Sequence, residues 1–210
     1  MMNDKKVIIL EGSDAVGKST LLKHIQNLTN GKCHTFHSNY DKHFSKENHR
    51  RQHKLIAKYI KQQFDDKHYT GNHTVILDRC YISDMTYGQI GYGSRGTLEQ
   101  KFSYLDDLFK IIKKDRDIQI IMIYCRPDKS KFDTEAKDEL LNQTENDKMQ
   151  EIYDCTMNSL DMFEIFVKYG ILYYKYDFNK DPDYKALDDY LEKVSFNHIY
   201  NVTMREVFEK

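Results

Sequence analysis

The sequence predicts an α/β protein whose parallel five-stranded sheet carries helices on both faces. Short apolar runs alternate along the chain with longer segments in which apolar residues recur at helical spacing. Near-continuous apolar strands separated by helices are typical of a parallel sheet, because the crossover helices bury both of its faces. Such sheets bind ligands beyond the carboxyl ends of their strands. We therefore expect functional residues directly after the strands.

The first half of the pattern contains two strand–helix units. Val7–Leu10 is a continuous apolar run, and the helix Lys18–Leu28 follows it and ends before the stop signal Asn30-Gly31. His34–His37 is predicted as a short second strand. The segment Glu47–Phe64 then has apolar residues at helical spacing.

The second half repeats the alternation. Thr74–Leu77 and Ile118–Tyr124 are predicted as the third and fourth strands, with the amphipathic helix Leu98–Lys114 between them. Glu145–Tyr169 is predicted as one long helix. The strand Ile171–Tyr176 and a further helix, 184–193, complete the pattern.

The composition favours a soluble globular protein, with 40% hydrophobic residues, 31% charged residues and a net charge of −1. This charge balance argues against a general nucleic-acid-binding protein, which is usually strongly basic. No apolar run approaches the roughly 18 residues of a membrane span, and the apolar stretch near the start is too short for a signal peptide. The four cysteines are far apart with no C-x-x-C, so we expect reduced thiols in a cytoplasmic protein without a membrane partner.

The segment Gly12–Ser19 fits the pattern G-x-x-x-x-G-K-[ST] and lies between a predicted strand and a predicted helix. Glycines allow backbone N–H groups to converge on phosphate oxygens, and the helix N-terminus adds positive potential. Lys18 is expected to reach the β- and γ-phosphates, and the hydroxyl of Ser19 is expected to ligate Mg²⁺. The sequence thus predicts a nucleoside triphosphate site, and its candidate residues are Gly12, Ser13, Asp14, Ala15, Val16, Gly17, Lys18, Ser19 and Thr20.

Two other classes of P-loop protein fit less well. A GTPase needs N-K-x-D, and Asn179-Lys180-Asp181-Pro182 lacks the final aspartate. Motor and transport ATPases are larger, and their Walker-B strand ends in Asp-Glu. Here the third strand ends in Asp78-Arg79.

Asp78 and Arg79 place a carboxylate and a guanidinium at the mouth of the predicted sheet. The carboxylate can hold Mg²⁺ through water, and the planar guanidinium suits a phosphate bidentately. One cation does not easily bind two phosphates. We therefore expect Lys18 to bind the phosphates of the donor nucleotide and Arg79 to bind the phosphate of an acceptor. The alternative is that Asp78 and Arg79 form a structural ion pair.

Both motifs together resemble those of thymidylate kinases. Glu11–Thr20 matches E-G-x-[DE]-x-x-G-K-[ST]-T, and Asp78–Gln89 resembles D-R-[YH]-x-x-S-x-x-A-Y-Q with the glutamine displaced by one. The resemblance covers about residues 5–193. It implies a single nucleoside monophosphate kinase-like domain over residues 1–210, with a lid at about 128–144 and an extra tail at about 195–210.

The resemblance implies transfer of the γ-phosphoryl group of ATP to a deoxynucleoside monophosphate, with dTMP as the default acceptor, Mg²⁺ as cofactor and a homodimer as the assembly. Asp14 would face the sugar 3′-hydroxyl and the reacting phosphates, and Arg79 would hold the acceptor phosphate. Ser83 would lie on the acceptor side, and Tyr87 would pack near C2′ and favour deoxy substrates. Arg51, with Arg50 next, is the best match for a further acceptor-binding arginine. The implied catalytic residues are Lys18, Asp14, Asp78 and Arg79.

The chain departs from the family in its arginines. Position 15 of the loop is alanine, and Asp128–Gln143 has no arginine and offers Lys129, Lys131 and Lys137 instead. Arg126, at the end of the fourth strand, is another cation that could move in. Asp84 is unusual for its position, and if it faces the base it would prefer a hydrogen-bond donor edge.

Two alternatives therefore stay open. A deoxynucleoside kinase shares the fold, but that family shows Glu-Arg-Ser after the third strand and a carboxylate base after the second, whereas this chain has Asp78-Arg79-Cys80 and no clear base. The other alternative is a catalytically weak nucleotide-binding regulator.

Overall fold

Five parallel strands form one sheet in the order β2-β3-β1-β4-β5 in the computed structural model, which describes residues 5–29, 33–38, 46–65, 74–90, 97–114, 118–128 and 143–196. The strands are β1 (Lys5–Glu11), β2 (Cys33–His37), β3 (Thr74–Asp78), β4 (Ile118–Cys125) and β5 (Leu172–Tyr176). The helices are α1 (Lys18–Leu28), α2 (Lys46–Asp65), α3 (Tyr81–Gln89), α4 (Leu98–Ile112), α5 (Gln143–Met157), α6 (Leu160–Tyr169) and α7 (Lys185–Phe196). The predicted fold class is confirmed.

The sheet has a hydrophobic core on each face, because successive side chains of a strand point to opposite sides. Val7 and Ile9 of β1 pack in the larger core with residues of helices α2 to α6. Ile8 and Leu10 pack in the smaller core with residues of α1 and α7. The central strand β1 pairs with β3 on one side and β4 on the other. The carboxyl ends of these three strands therefore lie side by side.

One predicted helix is wrong in its extent. The segment predicted as a single helix over Glu145–Tyr169 is two helices, α5 and α6, separated at Asn158 and Ser159. Ser159 is in an extended conformation, and its side chain accepts a hydrogen bond from the backbone N–H of Met162. It caps the N-terminus of α6, and such a cap favours a new helix over continuation of the old one.

Helix α3 is an element that the sequence reasoning did not assign. Its residues from Tyr81 to Thr86 are all buried, together with Tyr87. A helix that is buried all round lacks the amphipathic periodicity by which surface helices are detected. It begins immediately after Arg79 and Cys80, so it fixes the direction in which the chain leaves the sheet.

Asp84 is held by a residue of α4. It is fully buried, and Lys101 of α4 donates to its backbone carbonyl at 2.9 Å and lies 3.6 Å from its Oδ2. The expectation that Asp84 could select a base edge is therefore replaced by a buried ion pair between α3 and α4.

No helix in the described segments is long and apolar enough to cross a membrane. Most of the predicted lid and most of the tail lie outside the described residues, and so do Lys129, Lys131 and Lys137.

Candidate active site

The loop between β1 and α1 is shaped by three residues with positive φ, namely Gly12 (143°), Ala15 (55°) and Gly17 (78°). A Cβ atom on Gly12 would lie 2.6 Å from the backbone carbonyl oxygen of Cys125, so the loop starts in direct contact with the end of β4. Gly17 is the N-cap of α1, and its left-handed conformation turns the chain into the helix. This geometry suits a loop whose backbone amides surround an anion.

Lys18 is 8% exposed, and its Nζ donates to the backbone carbonyl of Ser13 across the loop. Burial, reinforced by the positive charge of Arg79, lowers the pKa of Lys18 to about 8. Ser19 and Thr20 follow on the first turn of α1 with exposed side chains. Lys18 is therefore held at the loop by a neutral carbonyl oxygen, and an anionic ligand can replace that oxygen as its partner.

Arg79 occupies the position directly after β3 with a φ of 71°, a conformation that non-glycine residues rarely adopt. Its Nη1 donates to the carbonyl of Gly12 at 3.2 Å, and its Nη2 lies 2.5 Å from Oδ1 of Asp14. Its guanidinium stacks over the ring of Tyr87, 5.0 Å from the centroid. Backbone strain that the surroundings maintain is concentrated at functional sites.

Asp14 connects the loop to α3 and α5. Its Oδ1 also accepts a hydrogen bond from the hydroxyl of Tyr87 at 2.8 Å, and its backbone carbonyl accepts one from Nδ2 of Asn146 at 2.9 Å. Burial raises the pKa of Tyr87, so its hydroxyl stays a neutral donor. Asp14, Arg79 and Tyr87 thus form one connected cluster.

Glu11 is a site residue that sequence reasoning used only as a motif match. It is fully buried, and its carboxylate accepts hydrogen bonds from the backbone N–H of Cys80 at 2.6 Å, the hydroxyl of Ser83 at 2.6 Å and the hydroxyl of Tyr153 at 3.2 Å. Burial raises the pKa of Glu11 despite these donors. The sequence signal for this role is a carboxylate directly after an apolar strand. Through these hydrogen bonds Glu11 holds the start of α3 and the adjoining Arg79 in place.

The remaining predicted residues are placed around this cluster. Ser83 is fully buried between Glu11 and Tyr153, and its hydroxyl lies 3.4 Å from Nη1 of Arg79. Asp78 is at the end of β3, where its Oδ2 is 2.9 Å from Nδ1 of His37. Arg51 is exposed on α2, and the side chain of Arg50 lies outside the described residues.

Side chains of α5 contact the residue that follows β4 and the phosphate loop, and no local sequence pattern indicated these contacts. Arg126, just after β4, donates from Nε to Oδ2 of Asp154 at 2.8 Å and from Nη1 to Oε1 of Gln150. Asn146, on the same helix, contacts the phosphate loop through Asp14. Helix α5 therefore lines the site on the β4 side.

The loop after β5 also reaches the phosphate loop. The ring of Phe178 lies 3.3 Å from the position of a Cβ on Gly17. Asn179 follows it and has a buried Nδ2 without a hydrogen-bond partner in the described part of the chain. This loop therefore borders the site next to the start of α1.

The side-chain oxygen atoms at the site suit Mg²⁺, which prefers oxygen ligands and keeps several bound waters. The hydroxyl of Ser19 and the carboxylate of Asp78 are the side chains that would hold it. Among the described residues there is no group of three or more His, Cys, Asp or Glu side chains able to hold a metal by themselves. A Mg²⁺ ion here would accordingly depend on the oxygens of a bound phosphate.

Comparisons with known proteins give structural matches only. No protein-family model matches the sequence, and no curated protein is significantly similar to it. The YorR protein of Bacillus subtilis, solved in complex with phosphorylated GDP, matches with a TM-score of 0.55 at 20% identity over 92% of this chain and 99% of YorR. The NadR protein, solved in complex with NR, gives 0.54 at 15% identity over 95% of this chain and 54% of NadR. A putative polyphosphate kinase 2 of Pseudomonas aeruginosa PA01 gives 0.54 at 15% identity over 83% of this chain and 38% of that enzyme.

These similarities concern the fold, and they agree with the sheet and the loop. The chain has the P-loop NTPase fold, a parallel sheet with a phosphate loop between its first strand and first helix. It spans only about half of NadR and less than half of the polyphosphate kinase.

Proposed function

We propose that this protein transfers the γ-phosphoryl group of ATP to a deoxynucleoside monophosphate, with dTMP as the default acceptor. The observation that carries the proposal is the separation of two cations at the mouth of the sheet. Lys18 belongs to the phosphate loop, and Arg79 belongs to the neighbouring strand end and reaches Asp14 of the same loop. Two cations on different elements can bind two different phosphates.

The donor side consists of the loop amides and Lys18. The amides from Gly12 onward and the N-terminus of α1 would bind the phosphates of ATP, and Lys18 would leave the Ser13 carbonyl to bind the β- and γ-phosphates. Mg²⁺, held by Ser19 and through water by Asp78, would neutralise charge on these phosphates.

The acceptor side consists of Arg79, Asp14 and Tyr87. An acceptor phosphate would replace the Asp14 carboxylate as the partner of Arg79, so the guanidinium would stay paired with an anion throughout. Asp14, once released, would be free to accept from the sugar 3′-hydroxyl. Tyr87, buried against Arg79, would lie beside C2′.

The chemistry needs no proton abstraction by the protein. An oxygen of the acceptor monophosphate attacks the γ-phosphorus, the bond from that phosphorus to the bridging oxygen breaks, and ADP leaves with the bonding electrons. A phosphate oxygen is already ionised near neutral pH, whereas a nucleoside 5′-hydroxyl would have to lose a proton to a base. The protein's part is positioning and charge neutralisation.

The names of the similar structures support this class of reaction. YorR was solved with a phosphorylated guanosine nucleotide, and the polyphosphate kinase is named for phosphoryl transfer. The proposal includes a cytoplasmic location and the homodimer that the thymidylate kinase resemblance implies. Light scattering of the purified protein tests the homodimer directly.

The function is tested by measuring ATP consumption with the four deoxynucleoside monophosphates and the four deoxynucleosides. We expect turnover with a monophosphate and none in Lys18→Ala, and full turnover in Lys23→Ala, which removes an exposed lysine from the same helix. Turnover with a deoxynucleoside alone would replace the proposal with a deoxynucleoside kinase. ATP binding without turnover on any acceptor would indicate a nucleotide-binding regulator.

A further inference from the structure

Helix α5 presents unused hydrogen-bonding atoms beside the phosphate loop. Asn146 and Gln150 are 3% and 1% exposed, yet Oδ1 of Asn146 and Nε2 of Gln150 have no hydrogen-bond partner among the described residues. A buried polar atom without a partner costs roughly 1–3 kcal/mol. Two such atoms one helical turn apart, about 6 Å along the axis, indicate a site that a ligand completes.

The position of this pair relative to the phosphate loop is fixed by contacts on both sides. The Nδ2 of Asn146 donates to the backbone carbonyl of Asp14 in the loop, and Oε1 of Gln150 accepts from Arg126 at the end of β4. The end of β4 in turn contacts Gly12 through Cys125. Asn146 therefore contacts the loop directly, and Arg126 with Gln150 lies at the end of β4, which flanks β1 on the side opposite β3 and Arg79.

Arg126 is held by partners that can be exchanged. Oδ2 of Asp154 accepts from Nε and Nη2 of Arg126, each at 2.8 Å, and the Arg126 side chain is 15% exposed. Asp154 has further donors, because the hydroxyl of Tyr124 lies 3.0 Å and Nζ of Lys175 lies 3.7 Å from its Oδ1. The carboxylate would thus keep a hydrogen bond and a cation nearby if Arg126 turned to another anion.

The geometry points to a second phosphoryl-binding subsite, formed by the guanidinium of Arg126 and Nε2 of Gln150, that takes the terminal phosphoryl group of a bound nucleoside triphosphate. Both groups are hydrogen-bond donors, and one of them carries a positive charge, so the ligand they fit is an anion with several acceptor oxygens. Oδ1 of Asn146 accepts a hydrogen bond from a hydroxyl group of the same ligand or from a water that the ligand binds. The subsite rests on the proposed function, and it supplies a positive charge to the phosphoryl group from the side away from Lys18 and Arg79.

The test compares ATP with ADP, because only ATP carries the group that the subsite binds. Titration calorimetry with Mg²⁺ gives the ratio of the two dissociation constants for wild type, Arg126→Gln and Arg126→Lys. We expect Arg126→Gln to weaken ATP binding by at least about tenfold, the loss expected for a charge-assisted hydrogen bond, with ADP changed less than about twofold. Arg126→Lys should recover part of the loss, since it keeps the charge without the fork.

Lys168→Gln is the matched control, since it removes one positive charge and one ion pair, with Asp106, on α4 and α6. It should leave the ratio unchanged. An unchanged ratio in Arg126→Gln would overturn the subsite and leave Arg126 as a structural link between β4 and α5. The Asp154→Asn variant adds a second readout, because a loosened Arg126 should strengthen ATP binding relative to ADP; weaker ATP binding would also contradict the exchange.

The two proposals fail separately. If the wild type phosphorylates no acceptor, the proposed function is wrong, while the ATP to ADP ratio still measures the subsite. If the wild type turns over and the ratio is insensitive to Arg126, the subsite alone is wrong. Thermal melting of each variant confirms that the titrated protein is folded.

Discussion

Arg79 and Asp14 form an ion pair between the end of β3 and the phosphate loop, with 2.5 Å between Nη2 and Oδ1. Both side chains are 18% exposed, so the pair is accessible to a ligand but mostly shielded from water. A charge in such a place is costly to leave without a partner. An incoming anion must therefore replace Asp14 as the partner of Arg79 while Asp14 accepts from another donor.

Replacing Arg79 by alanine should weaken acceptor binding by at least about tenfold, because charge-assisted hydrogen bonds contribute roughly 1.5–3 kcal/mol each. The dissociation constant of ATP should be nearly unchanged, since the loop amides and Lys18 bind its phosphates. Calorimetric titration of ATP and then dTMP measures both. Equal losses for the two ligands would make Arg79 a donor-side or structural residue.

Two substitutions of Tyr87 separate its hydroxyl from its ring. Tyr87→Phe removes the hydrogen bond to Asp14 and keeps the ring against Arg79, whereas Tyr87→Ala removes both. We expect the preference for dTMP over its ribo analogue, measured as the ratio of kcat/KM values, to shrink in Tyr87→Ala and to persist in Tyr87→Phe. If the ratio moves in neither variant, Tyr87 is a packing residue with no part in sugar selection.

Glu11 should make stability depend on pH. Burial raises its pKa in the folded state, so its contribution to stability is complete below the ordinary glutamate pKa and is lost as the pH rises through the raised value. The glutamine in Glu11→Gln cannot titrate. The melting temperature of this variant minus that of the wild type should therefore increase from pH 4.5 to pH 8. A constant difference would show that Glu11 has the same charge in the folded and unfolded states.

Glu11→Ala is the companion to that variant. It removes the acceptor of the backbone N–H of Cys80 and of the side chains of Ser83 and Tyr153, although these two hydroxyls keep the hydrogen bond to each other. A buried donor left without its acceptor costs about 1–3 kcal/mol. The free energy of unfolding, measured in urea at a pH below the raised pKa of Glu11, should fall by about that amount, and the loss should shrink as the pH rises.

Lys18 should take up a proton when a nucleotide binds at alkaline pH. Its pKa is about 8 without ligand because it is buried, with the charge of Arg79 adding to the effect. Phosphates beside it favour the charged form, so at pH 8 binding should consume a fraction of a proton, and at pH 6.5 Lys18 should contribute almost none. Calorimetry in buffers of different ionisation enthalpy measures this number, and equal proton uptake at both pH values would contradict the lowered pKa.

The sheet and the phosphate loop could be predicted from the sequence because both are local. Four consecutive apolar residues such as Val7–Leu10 indicate a buried strand, and the glycines of the loop are required by its backbone geometry. Helix α3 could not be predicted in this way, because it is buried on all sides, and the division at Ser159 depended on one capping side chain.

The residues that hold the site residues in position could not be predicted, because their contacts join distant parts of the sequence. Glu11 binds Ser83, 72 positions away, and Asn146 binds Asp14, 132 positions away. Neither contact has a local pattern, because the topology of the sheet alone brings the partners together. The sequence indicates Arg126 as a cation near the site. Its contacts with Asp154 and Gln150 could not be predicted, because they depend on where α5 packs.

The buried pair of Asp84 and Lys101 also restricts how this protein can evolve. Breaking a buried ion pair by removing one partner typically costs 3–5 kcal/mol, whereas replacing both partners by apolar residues of similar size is often tolerated. Each position is therefore closed to single substitutions and open to a double one. Lineages that descend from this chain should therefore keep both residues or lose both, and the contact between α3 and α4 should change with them.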